Sequence, residues 1–178
     1  GLSGPDHAHL RAALLDDAAV VSPAPRHHAL YANKLNLAWL SDSAALEAFG
    51  ADKSIIKALS DLPQTSRVTA QVADKLWAER RNYFFKPAAG FGSRATYRGD
   101  KLTKRGWSAI LEGNYVAQSF IPPTVRAVTV DGERTSLKFD IRLYTYGGET
   151  LMMAARTYQG QTTNFRTRGG GFAPVYHF

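Results

Sequence analysis

Residues 125–158 read VRAVTVDGERTSLKFDIRLYTYGGETLMMAARTY. Three extended runs, 125–130, 136–146 and 151–158, are separated by Asp131-Gly132 and Gly147-Gly148. β-Branched and aromatic residues suit a pleated strand, and Asp-Gly or Gly-Gly supplies the positive φ angles that two-residue hairpin turns demand. The stretch predicts an antiparallel meander. Its alternation also assigns faces. Asp140 and Arg142 lie two apart and share one side of a strand, and Ile141 and Leu143 take the other.

Reading outward from there, Gly169-Gly170-Gly171 predicts a loop of close approach, and 174–178 a final short strand. Upstream, 115–121 is strand-like and stops at Pro122-Pro123. A helix is expected over 101–112, around Trp107, Ile110 and Leu111. Tyr83-Phe84-Phe85 is a compact buried-strand signal ended by Pro87, and 94–97 resumes a strand-like run. Before residue 83 the texture is helical, over 6–19, 28–40, 44–49, 52–60 and 70–81. Ser22-Pro23-Ala24-Pro25 and Leu62-Pro63 break those helices. Val20-Val21 and 66–69 are short β-like pieces. Helices first and antiparallel strands second predict an α+β fold. The expected organisation is a single partial domain over 1–178. A helical lobe spans about 26–82, a lysine- and glycine-bearing lobe 83–121, and a β-rich lobe 122–178.

The 178 residues carry 22 Lys and Arg against 15 Asp and Glu, a formal charge of +7. Such a balance attracts anions. The basic residues are scattered, with no run of five or more, which argues against a nucleic-acid arm and suits a few cations converging on a polyphosphate. There is no cysteine, which excludes disulfides, thiolate metal sites and cysteine nucleophiles, and fits a cytoplasmic protein. No apolar stretch approaches the roughly 18 residues of a membrane span. Residues 1–8 lack the parts of a signal peptide and read as the start of an excised segment. His7, His9, His27, His28 and His177 have no carboxylate at ligand spacing and read as surface residues. Trp39, Trp77 and Trp107 read as core.

Three pieces carry chemistry. In YFFKPAAGFGSRATY (83–97), Lys86 closes a buried strand and faces a turn containing Gly90 and Gly92. Bare glycine amides can approach an anion, and the lysine adds a point charge. A plain hairpin exit is the alternative. In YVAQSFIPP (115–123), Gln118 among apolar neighbours can face a base edge, or simply solvent. In 138–168, Asp140, Arg142, Arg156, Asn164, Arg166 and Arg168 can supply forked donors for phosphate or carboxylate oxygens. The alternative there is an exposed sheet face with a structural Asp–Arg pair.

The order of these pieces resembles the ATP-grasp superfamily, near the glutathione synthetase and ribosomal-protein glutamate ligase type. The series runs Asn33-Lys34 on a helix, Leu62-Pro63-Gln64-Thr65, Phe85-Lys86-Pro87 with Gly90 and Gly92, Val116 through Ile121, Asp140-Ile141-Arg142, Arg156, then Asn164 with the triple glycine. The closing TNFRTRGGGFAPVYHF is similar to circularly permuted members such as the glutathionylspermidine synthetase group. The resemblance implies two small lobes with mostly antiparallel sheets enclosing a nucleotide cleft. It implies that Lys86 contacts the α- and β-phosphates, and that the turn of Gly90, Gly92, Ser93 and Arg94 covers the triphosphate. Gln118, Ser119, Phe120 and Ile121 would hold adenine. Arg142 and Arg156 would stabilise the transferring phosphoryl group, with Asp140 and Asn164 alongside, and Lys34 matches a lysine near the start of many such domains.

The same resemblance implies ATP and Mg2+ as cofactors, an acyl-phosphate intermediate, and carboxylate and amine or thiol substrates. One departure stands out. The Glu-x-Asn pair that holds magnesium in the family is missing, because Thr162 stands two residues before Asn164. The expected metal ligands therefore lie outside this chain, in an N-terminal remainder of the same protein, and the isolated chain should be weak or inactive. The alternatives are a nucleotide-binding module without catalysis, or a nucleic-acid module stacking bases on Phe139, Tyr144 and Tyr146. Neither nucleic acid nor membrane is expected as a partner.

Overall fold

The computed structural model describes residues 2–90, 92, 94–161 and 163–176. The chain is α+β, with two antiparallel four-stranded sheets and several helices, and divides into two compact units, Gly1–Phe120 and Ile121–Phe178.

The first unit carries α1 (Ala8–Leu15), α2 (Pro25–Tyr31), α3 (Leu35–Leu40), α4 (Ser43–Ala48), α5 (Lys53–Ser60), α6 (Ala73–Ala78) and α7 (Lys104–Glu112). Its sheet holds β1 (Thr65–Arg67), β2 (Tyr83–Pro87), β3 (Tyr97–Arg98) and β4 (Tyr115–Ser119), in the order β1-β4-β2-β3. Strand alternation builds the core. Phe85 points from β2 into a cluster with Leu76 of α6 and Ile110 of α7, and Phe85 and Ile110 are both 0% exposed. Trp107 stands edge-on to Phe85 at 5.4 Å and packs on Trp77 at 5.6 Å. The neighbours of Phe85 on the strand, Phe84 and Lys86, therefore belong to the opposite face. Gly99 fixes the entry to α7, since a Cβ there would lie 1.6 Å from the carbonyl oxygen of Arg80. Thr103 caps α7 by accepting from the Gly106 amide at 3.1 Å.

The second unit is a meander of β5 (Thr124–Val130), β6 (Glu133–Tyr146), β7 (Glu149–Tyr158) and β8 (Gly171–Pro174), paired in sequence order. Its two tight turns are those read from the sequence. Asp131 and Gly132 have φ of 52° and 81°, and Gly147 and Gly148 have 58° and 85°, so both central residues of each turn are left-handed. Leu137, Ala155 and Tyr158 are its buried residues.

Several expectations need correction. Val20-Val21 forms no strand; Val20 is 98% exposed and pairs with nothing in either sheet. The helix expected over 28–40 breaks at 32–34, where the Asn33 side chain accepts from the Leu35 amide at 3.0 Å and starts α3. Asn33 and Lys34 thus precede a helix instead of lying within one. Over 94–97 only Tyr97 is extended, because Arg94 and Ala95 turn and Ala95 has φ 51°. The last strand of the described residues is Gly171–Pro174, where pairing with β7 is available, not 174–178. Strand β1 pairs with β4, so residues on both sides of position 83 share the first sheet.

Candidate functional site

On the face of the first sheet opposite Phe85, Lys86 lies at the C-terminal end of β2. The break between α2 and α3 brings Lys34 to the same place. The Lys34 amide donates to the Ala88 carbonyl at 2.8 Å, and its ammonium donates to the Gly90 carbonyl at 2.9 Å. Lys34, Lys86, Pro87, Gly90, Gly92, Arg94 and Thr96 line a cavity of about 200 Å³. Gly90 and Gly92 have φ of 127° and 68°, so the turn needs glycine for its backbone rather than for space.

Three cationic side chains face this cavity, and none of its described lining residues is acidic. Lys86 has its pKa lowered, first by burial and then by the like charge of Lys34. Its ammonium donates to Gln118 Oε1 at 2.6 Å and stands 5.8 Å from the centre of the Phe84 ring. Both hydrogen-bond partners of the lysines are neutral. Among the described residues, neither lysine forms an ion pair with a carboxylate.

The remaining positions read from the sequence divide between the units. Gln118, Ser119 and Phe120 are in the first. The Gln118 amide is engaged at both ends, by Lys86 and by Thr65 Oγ1 at 3.0 Å. The amides of Ser119 and Phe120 donate to Gln64 and Asn82 carbonyls, each at 2.8 Å, and so serve the fold. The Phe120 ring packs on Phe84 at 5.6 Å and under the Arg98 guanidinium at 4.6 Å. Ser93 lies outside the described residues.

The second unit holds Ile121, Asp140, Arg142, Arg156 and Asn164. Asp140 and Arg156 face each other across β6 and β7, with Nε and Nη2 on the two carboxylate oxygens at 2.7 and 2.8 Å. Those hydrogen bonds are the main reason that the Arg156 pKa is raised. Tyr158 has its pKa raised by burial and then by the Asp140 charge, with Arg156 opposing. Arg142 is exposed on the same face, two residues from Asp140. Asn164 shapes its loop, since its side chain accepts from the Arg166 amide at 3.0 Å and its carbonyl from Thr167 Oγ1 at 2.9 Å. Ile121 is exposed.

Sequence reasoning passed over Thr65 and Thr96. Thr65 stood in the quoted Leu-Pro-Gln-Thr run, yet nothing local says that its hydroxyl meets Gln118, 53 positions away. Among the described residues, no three His, Asp or Glu side chains gather to hold a metal ion. The lining of the lysine cavity carries cations and no described carboxylate, a donor set that suits phosphate oxygens and not a metal ion. No helix among them is long and apolar enough to cross a membrane. No family model, curated protein or solved structure matches the chain.

Proposed function

We propose that this chain binds ATP, with its phosphates in the cavity of Lys34, Lys86, Gly90, Gly92 and Arg94, as the nucleotide-holding part of an ATP-dependent carboxylate–amine or carboxylate–thiol ligase. The observation that carries the phosphate reading is the pairing of two lysines, distant in sequence, on neutral partners beside two left-handed glycines. Phosphoryl transfer asks the protein mainly for positioning and charge neutralisation, and such a pocket provides both. The ligase part of the reading is supported by the order of motifs along the chain. In it, magnesium is held by residues outside this chain.

Calorimetric titration of the chain with ATP tests the reading. Lys86→Ala should weaken ATP by about 100-fold or more, in line with loss of a half-buried charge-assisted contact, while far-UV circular dichroism stays unchanged. Equal affinity in the variant removes the reading. Single-stranded RNA that competes with ATP would transfer it to a nucleic-acid module. Turnover of ATP by the full-length protein separates a ligase from a module that binds without catalysis.

A further inference from the structure

Thr65 is 6% exposed and is the only buried Ser, Thr, Asn, Gln or charged residue among the described residues. A buried hydroxyl needs both an acceptor and a donor, and Thr65 has both. Its Oγ1 donates to the Pro63 carbonyl at 3.1 Å and accepts from Gln118 Nε2 at 3.0 Å. Gln118 Oε1 in turn accepts from the Lys86 ammonium at 2.6 Å. The sheet register explains the row, because Thr65 and Gln118 are directly opposed across β1 and β4.

Chemistry at the two ends sets the direction of the whole chain. An ammonium has only donors, and a prolyl carbonyl only accepts. Gln118 must then present its oxygen to Lys86 and its nitrogen to Thr65. The far end is tied down as well. The Thr65 amide donates to Ser41 Oγ at 3.0 Å, Ser41 Oγ donates to the Leu37 carbonyl at 2.8 Å, and the Ser119 amide donates to the Gln64 carbonyl at 2.8 Å.

We infer that Thr65 is a positioning residue for the anion site: its hydroxyl locks the Gln118 amide in the orientation that offers a carbonyl to Lys86. Without that hydroxyl only the ammonium holds the amide, and the Gln118 N–H groups lose their acceptor. The acceptor of a half-buried cation that already shares the cavity with Lys34 and Arg94 is then held less firmly. The inference rests on the reading of the lysine cavity as the phosphate site.

The test compares Thr65→Val, which keeps shape and deletes the hydroxyl, with Thr65→Ser, which keeps the hydroxyl. Thr65→Val should weaken ATP about tenfold, the scale of one lost buried hydrogen bond, and Thr65→Ser should stay within about twofold. On a Gln118→Leu background Thr65→Val should cost nothing further, because residues acting through one another are non-additive. Losses that simply add overturn the inference. Side-chain amide resonances of Gln118 in the ligand-free protein give a readout independent of ATP. They should move in Thr65→Val and not in Thr65→Ser, and unmoved resonances also overturn it. If wild type fails to bind ATP but the resonances move as expected, the phosphate reading falls and the relay stands. Should Thr65→Val not fold, Gln118→Leu alone must reproduce the loss, and full affinity there overturns the inference.

Discussion

The lysine cavity of the first unit and the arginine pair of the second handle positive charge in opposite ways. Lys34 and Lys86 are drawn together, and each rests on a neutral oxygen, Gly90 O and Gln118 Oε1. Arg156 is met by a carboxylate in a two-pronged pair. In the first case the fold bears the cost of burying a charge beside its like, and the field of that charge stays available to a ligand. In the second the charge is cancelled within the sheet, and the pair mostly sets strand register and side-chain direction. On the proposed reading, the difference marks where an incoming anion would complete the electrostatics. It also shows why counting cations along a chain does not find a site: what matters is which of them remain uncompensated once folded.

Four changes can break or sharpen that contrast. The largest effect is expected from Lys86→Glu, which reverses the central charge and pairs it internally with Lys34. ATP binding should fall below detection by calorimetry, a loss of more than about 100-fold. Next is Lys34→Met. It removes the like charge and frees the Gly90 carbonyl, so ATP should weaken about tenfold. The Lys86 midpoint, followed by NMR of its ε-methylene, should rise only part of the way to normal, because burial is the larger cause and remains.

Asp140→Asn acts on the other region. The pair is partly exposed, with side-chain accessibilities of 22% and 37%, so solvent screening limits its worth. The melting temperature should fall by about 1 to 3 °C in a thermal scan. The smallest effect is a pH slope. Lys86 has its folded pKa below the usual 10.5. Between the lowered midpoint and 10.5 the folded chain binds fewer protons than the unfolded one, so stability should rise with pH across that window. Urea midpoints at stepped pH should show the rise in wild type and lack it in Lys86→Met. A rise that persists in the variant assigns the slope to another group.

Much of the fold was legible before any coordinates, and the reason differs by element. The meander of β5 to β7 was readable because Asp131-Gly132 and Gly147-Gly148 specify turns from two residues each. Phe85 was readable as core because an aromatic run ended by proline has few other uses. Val20-Val21 misled, because two apolar residues make a strand only where a partner edge exists, and here none lies beside them. The helix over 28–40 misled too, because Asn33 competes with the helix by bonding the backbone two residues on. For the candidate site, Lys86 with its glycines was visible as a local pattern. Lys34 entered only through the family resemblance, and that Thr65 meets Gln118 was not legible at all.

Amino-acid order alone determined what depends on near neighbours: the hairpin turns, the alternating faces of the strands, the helix-then-strand layout and the surplus of positive charge. Only the folded arrangement decided which distant groups meet. It set Lys34 against the turn 56 positions away, Gln118 between Lys86 and Thr65, and Arg156 on Asp140. Turn and strand preferences are properties of a few consecutive torsions, whereas a charge becomes compensated or exposed only when strands far apart in the chain choose their partners.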